Sequence, residues 1–268
     1  MLVAAPYVPE TLAQKLRDQG LWFVGSLGNA YIEMPGEILI YTTGKRPARW
    51  QPPNASWMSA QGAKVLFQLL ILGSRVHATY RDIVRNTGVS LGMVSKIITS
   101  LLGRGVISPR ARGVYEIVEP HRLLEMWSDA YALKLRPKIS LGRFRSLYGA
   151  DFARMFKETS KAEMKSVVIG GEYAADKLTG YLRAGLVSLY VPPDRVRAVL
   201  GVLRLAPSSE GNIELYEAFA KRLTMPRSRK WPPLAHPVLV YAELLATDDP
   251  RCGEAARRLK ERYLPWIQ

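Results

Sequence analysis

The 268-residue chain holds a single cysteine and only three histidines, His77, His121 and His236, far apart in sequence. A lone Cys252 makes no internal disulfide, and no Cys/His group has the spacing of a zinc site, so neither a structural metal nor a cofactor is expected. Cys252 follows Asp248-Asp249-Pro250-Arg251 with no histidine nearby, which leaves a nucleophilic thiol without an activating neighbour. Long apolar runs are missing as well. The longest, 65–72, is interrupted by Gln68 and falls far short of the roughly 18 residues a membrane span needs. The opening Met1-Leu2-Val3-Ala4-Ala5-Pro6 has no basic start and meets Pro6 and Pro9 before an export signal's apolar core is complete. A cytoplasmic protein without a membrane partner is the expectation. Acidic residues are scarce: 23 Asp and Glu face 38 Lys and Arg, a net charge of +15 with a pI near 10.0. A balance that basic points to a polyanionic partner, nucleic acid before an acidic membrane surface.

The length suits two or three modules. Residues 1–56 read as a small α+β unit: a helix over 10–19 closed by Gly20, then strands over 21–24, 29–34 and 37–42 joined by turns. The Pro-rich basic segment Gly44-Lys45-Arg46-Pro47-Ala48-Arg49-Trp50-Gln51-Pro52-Pro53 continues neither helix nor central strand and reads as a linker. Glu33, Glu37 and Lys45 match no nuclease spacing and read as solvated strand ends.

The strongest signal lies in 57–118. Ser59 caps a helix whose Ala63, Leu66, Phe67, Leu70 and Ile71 recur at helical spacing. Thr79 caps a second helix running to Thr87, and Gly88-Val89-Ser90 supplies both a turn and the next cap. The third helix, 91–102, turns Val94, Ile97, Ile98, Leu101 and Leu102 inward and Ser95, Lys96 and Thr99 outward, while Gly92 allows close backbone approach. After Gly103-Arg104-Gly105, residues 106–117 read as a hairpin with Arg110 and Arg112 at its tip and Tyr115 packed beneath it. This is the plan of a winged helix-turn-helix, with a helix dressed to reach base edges. Eight Lys and Arg against Asp82 and Glu116 give the segment an excess of +6. The expected contacts to double-stranded DNA come from Thr79, Arg81, Ser90, Gly92, Ser95, Lys96, Thr99, Arg104, Arg110 and Arg112. The same triplet of helices also serves as a protein-docking or dimerisation element, so docking onto a protein partner without specific DNA binding stands as the alternative. His77, between the first two helices, suits a local backbone contact as well as a phosphate.

Residues 119–165 read as a mainly helical basic connector, in which Lys138, Arg143 and Arg145 are candidates for sequence-independent phosphate contact or for a solvated face. Residues 166–268 read as an α/β module: strand 166–169, Gly170-Gly171, helix 172–178, strand 186–191, a helical stretch 194–199, strands 202–205 and 213–216, and helices 238–245 and 253–263. Arg227-Ser228-Arg229-Lys230 reads as a solvated basic turn. The fold class expected is thus α+β, with an α/β C-terminal domain.

Three tracts carry a resemblance: Leu135-Arg136-Pro137-Lys138-Ile139-Ser140-Leu141-Gly142-Arg143-Phe144-Arg145; Gly170-Gly171-Glu172-Tyr173-Ala174-Ala175-Asp176-Lys177-Leu178-Thr179-Gly180-Tyr181; and Leu239-Val240-Tyr241-Ala242-Glu243-Leu244-Leu245-Ala246-Thr247-Asp248-Asp249-Pro250-Arg251. With the winged helix before them, they resemble the AbiEi-type antitoxins of bacterial type IV toxin-antitoxin systems from about residue 57 to the end. The resemblance implies a repressor of its own promoter whose C-terminal domain counters a nucleotidyltransferase-like toxin without a tight complex. The N-terminal α+β unit departs from the usual short antitoxin plan. Gly170-Gly171 also looks like the opening turn of nucleotidyltransferases, in which carboxylates on the next strand hold metal ions. Here that strand is Leu186-Val187-Ser188-Leu189-Tyr190-Val191 and bears no carboxylate, so two-metal phosphoryl transfer lacks its ligands and the expectation is not an enzyme. A homodimer reading inverted half-sites is plausible, but no heptad seam marks one.

Overall fold

A computed structural model of the chain describes residues 2–5, 8, 10–26, 28–43, 56–147, 151–159, 164, 166–225, 233–247 and 249–267. The Pro-rich linker 44–53, Lys45 and the basic turn 227–230 lie outside these residues. Met1–Pro53 and Asn54–Gln268 form two compact units.

In the first unit, β1 (Leu2–Ala5), α1 (Glu10–Asp18), β2 (Trp22–Gly25), β3 (Ala30–Met34) and β4 (Ile38–Thr42) build one sheet in the order β1-β2-β3-β4. β1 and β2 are parallel, and a parallel pair needs a crossover, which α1 provides. β2, β3 and β4 follow as an antiparallel meander. Val8, Ala13, Phe23 and Tyr31 form the small core on the side covered by α1. Strand β1 was not expected; four residues ending at a proline are too short for a period of two to show.

The second unit opens with α2 (Ala60–Ile71), where the Ser59 hydroxyl accepts the Gly62 amide at 2.9 Å, the expected cap. Then come β5 (Arg75–His77), α3 (Tyr80–Thr87), α4 (Leu91–Gly103), β6 (Ile107–Ala111) and β7 (Val114–Ile117), with the sheet order β5-β7-β6, antiparallel throughout. His77 sits exposed on β5, a strand too short to read in sequence.

Helix α5 (Pro120–Ala130) continues through a widened π-helical turn, Tyr131–Leu135, into α6 (Arg136–Ile139). The wide turn lies just before Pro137, which has no N–H to continue a regular ladder. The tract expected to be mainly helical then departs from expectation: Ser140–Ser146 is strand β8. Phe144 and Ser146 point inward while Arg143 and Arg145 stay exposed, a period of two masked in sequence by the cations. After α7 (Phe152–Glu158) the chain forms β9 (Val168–Gly170), α8 (Gly171–Thr179), β10 (Val187–Val191), a 3-10 turn at Pro193–Arg195, α9 (Val196–Val202), β11 (Leu205–Pro207), β12 (Ile213–Glu217), α10 (Pro237–Leu245) and α11 (Pro250–Tyr263). Val202, expected on a strand, ends α9, and the strand begins only at Leu205. The second sheet runs β11-β8-β12-β10-β9, with only β10 and β12 parallel; all five residues of β10 are buried.

One hydrophobic core joins the helices of 60–103 to the five-stranded sheet. At its centre the Trp127 indole donates to the Val238 carbonyl at 3.1 Å, and Phe67 packs its ring 5.2 Å from both Trp127 and Phe219. The molecule is therefore α+β. No helix among the described residues is long and apolar enough to cross a membrane.

Candidate nucleic-acid interface

Three elements meet at one end of the helical segment. Thr79 and Asp82 close a capping box at the start of α3: the Thr79 hydroxyl accepts the Asp82 amide at 3.2 Å, and the Asp82 carboxylate accepts the Thr79 amide at 3.0 Å and its hydroxyl at 2.7 Å. Those hydrogen bonds hold the Asp82 carboxyl below its ordinary range. The tip of the β6–β7 hairpin is stitched to the same place, since the Ala78 amide donates to the Gly113 carbonyl at 2.9 Å. Thr79, Tyr80 and Arg81 of α3, Leu91 of α4, and Arg112, Gly113 and Tyr115 of the hairpin consequently line one cleft of about 490 Å³. Tyr115 is buried beneath the hairpin, as expected, and burial together with a bond to Tyr80 pushes its hydroxyl up to about 12.

Helix α4 leaves that cleft with Val94, Ile97, Ile98 and Leu101 buried and Gly92, Lys96 and Thr99 exposed; Ser95 is half-buried. Gly88, in the left-handed region at φ +68°, ends α3 and lets the chain turn at once into α4. Ser90 holds the cap position, but its hydroxyl bonds no helix amide and stays exposed.

The structure therefore brings Thr79, Arg81 and Arg112 together, with Ser90, Gly92, Ser95, Lys96 and Thr99 along the adjoining helix. Arg110 stands beside them but is engaged across the hairpin by Glu116, its Nε 2.5 Å from the carboxylate. Arg104 is at the opposite end of α4, about 20 Å away at 1.5 Å per residue, half-buried with its guanidinium 6.0 Å from the centre of the Trp57 ring. Lys138 lies in α6, and Arg143 and Arg145 lie on β8 of the other sheet, so these three do not join the cleft. Leu91 and Tyr80 were missed. Leu91 is 50% exposed although its place in the helical period is on the apolar side, because the first turn of α4 projects past the core.

The Gly170-Gly171 turn has a different surrounding from that of a phosphate loop. The Gly171 amide donates to the Glu243 carboxylate at 2.8 Å, and Tyr190 donates to the same group at 2.9 Å while its hydroxyl also meets that of Tyr131 at 2.6 Å. A Cβ on Gly170 would lie 2.4 Å from Glu243 Oε2, and one on Gly171, at φ +63°, 2.9 Å from Ser188 Oγ. The two glycines thus admit an internal carboxylate and a strand side chain. Glu243 is 4% exposed, and burial pushes its carboxyl up to about 7 against the pull of its donors. The space left beside it is about 10 Å³, barely one water. Nearby, Arg136 donates to Glu214 at 2.8 Å and to the Tyr216 hydroxyl at 2.7 Å. Sequence reasoning passed over this network, although a lone Glu inside the apolar run 238–245 was its signal.

Comparison with known families decides the lineage. The family described as "Transcriptional regulator, AbiEi antitoxin, Type IV TA system" matches residues 116–265, more than half of the chain. The chain belongs to the AbiEi antitoxin family. The matched stretch begins at Glu116, in β7, so the resemblance expected from residue 57 onward is established only from there. Within it lie Glu243, the Gly170-Gly171 turn and all of the five-stranded sheet. Comparison with curated proteins and with solved structures gave no match.

Proposed function

We propose that this AbiEi-family chain is an autorepressing, DNA-binding antitoxin-like protein of a type IV toxin-antitoxin system, with residues 57–118 acting as a winged helix-turn-helix. The observation that carries this reading is the cleft where the capped start of α3, the start of α4 and the hairpin tip converge, in a segment with an excess of +6. Helix α4 enters the major groove of double-stranded DNA, with Ser90, Gly92, Ser95, Lys96 and Thr99 toward base edges and nearby phosphates. Thr79 and Arg81 take the phosphate backbone, and Arg112, seconded by Arg110, takes the flanking backbone or minor groove. Lys138, Arg143 and Arg145 stand outside this contact. The C-terminal sheet has no catalytic task in this reading, because the amide at Gly171 is already taken by Glu243; it counters a nucleotidyltransferase-like toxin in the cytoplasm without a lasting complex. The test is a gel-shift titration of the full chain with DNA from upstream of its own gene and with a scrambled duplex of equal length, at two salt concentrations. Tight binding of the upstream DNA alone is the expected result. Equal binding of both duplexes, released together as salt rises, overturns sequence-specific regulation.

A further inference from the structure

Helix α4 opens on a side chain that neither the core nor the charge of the segment explains. Leu91 is its first residue and is 50% exposed; between Ala60 and Ile117 it is the only exposed large apolar side chain among the described residues. The helix does not need it there. Val89 and Val94, at the two positions that staple a helix entry from either side of its cap, are both in the core. Val94, Ile97, Ile98 and Leu101 already make the buried face. One turn on from Leu91, half-buried Ser95 continues its stripe along the outer edge of that face, beside exposed Gly92, Lys96 and Thr99. The approach to Leu91 is open: Ser90 before it has a short side chain, and nothing lies within 4 Å of where a Cβ on Gly92 would be. Leu91 shares its cleft with Arg81 and Arg112.

We infer that Leu91 is a specificity-determining residue that packs on the C5-methyl group of a thymine; this rests on the reading that α4 enters the major groove. The first residues of a recognition helix are those that reach base edges. An aliphatic side chain there has no hydrogen bond to offer, so it gains nothing from phosphate or sugar oxygens. In the major groove adenine, guanine and cytosine present donors and acceptors, and thymine alone adds a methyl group. Arg81 and Arg112 in the same cleft suit a polyanion and would set an apolar protein surface against two cations. The polar residues along α4 can bond to more than one base, whereas Leu91 separates thymine from the others by shape and burial. Its contact carries no charge, so it adds selectivity and leaves the salt dependence to the cations.

The test uses the full chain and the shortest duplex from upstream of its own gene that it binds, with each thymine replaced in turn by uracil. That replacement removes the methyl group and keeps every hydrogen-bonding group and the phosphate charge. Fluorescence anisotropy is expected to show at least one position where uracil weakens binding about fourfold, the worth of one buried methyl. Leu91→Ala, at an exposed site where alanine favours the helix, should lower affinity for the thymine duplex by about the same factor. It should also bind thymine and uracil alike at that position and keep the wild-type salt slope; Leu91→Met, still apolar, should retain the preference. If no thymine discriminates, or if Leu91→Ala keeps the wild-type preference, the inference is overturned and the DNA-binding reading stands. Failure of the wild type to prefer upstream DNA over a scrambled duplex overturns that reading, and the inference with it.

Discussion

Arg110 and Arg112 are two positions apart on one hairpin, but their charges are not equally available. Arg110 is paired with Glu116, whereas Arg112 is exposed and has no ion-pair partner among the described residues. Arg112→Ala and Lys96→Ala should each lower DNA affinity about fivefold or more and flatten the salt dependence by about one counterion, and Arg110→Ala should do less. Fluorescence anisotropy at several salt concentrations measures this, and equal losses at 110 and 112 would contradict the assignment. Glu243 supports a second residue-level expectation. Its folded carboxyl titrates near 7 and its unfolded one near the ordinary 4.5, so the folded state holds the proton more tightly. The stability this confers is complete below about pH 4.5 and is lost as pH rises through 7. Glu243→Gln cannot ionise, so its melting temperature relative to wild type should rise between pH 5 and pH 8. His236, which burial lowers to about 4, titrates in both proteins and cancels from the difference. A difference flat in pH would show that Glu243 stays ionised throughout.

Among the elements, those with a cap or a left-handed glycine were legible. Ser59, Thr79 and Gly88 announced α2, α3 and the turn into α4, and helical spacing of apolar residues supplied their buried faces. What stayed hidden was short or interrupted: β1 and β5 have four and three residues, and β8 alternates arginines with inward side chains. A period of two needs more residues than these to emerge from a sequence. The candidate cleft was half legible for the same reason. Arg81, Thr79 and Arg112 could be named from caps and turns, but the stitch from Ala78 to Gly113 that brings them together is a long-range contact that no local pattern encodes. The glutamate behind Gly170-Gly171 was likewise 72 residues away from its amide. Gly88 gives the turn a direct test. Its φ of +68° disfavours any Cβ, and no atom lies within 4 Å of where one would be, so Gly88→Ala should cost about 1 kcal/mol through backbone strain alone. Urea unfolding measures that cost; an unchanged midpoint would mean that the turn relaxes freely.

On the scale of the molecule, the helical segment and the five-stranded sheet share one interior. The Lys221 amide donates to the Asn86 carbonyl at 3.0 Å, in addition to the bond from Trp127 to Val238 and the edge-to-face contact of Phe67 with Phe219. Amides in the middle of α2 and of β10 should therefore exchange with solvent at the same opening free energy in native-state hydrogen exchange, as parts of one cooperative unit. A markedly weaker protection of α2 would divide that unit in two.

The position of Trp127 has a bearing on ancestry. Genes often acquire a reader of DNA by recombination, lifting a domain from one protein and attaching it to another with a linker. Here a cut between the helical segment and the antitoxin sheet would expose the indole and the rings around it on both sides. The two parts share one interior and are inherited together, so in the reading proposed above a new operator specificity arises by substitution along the outer side of α4 and not by borrowing.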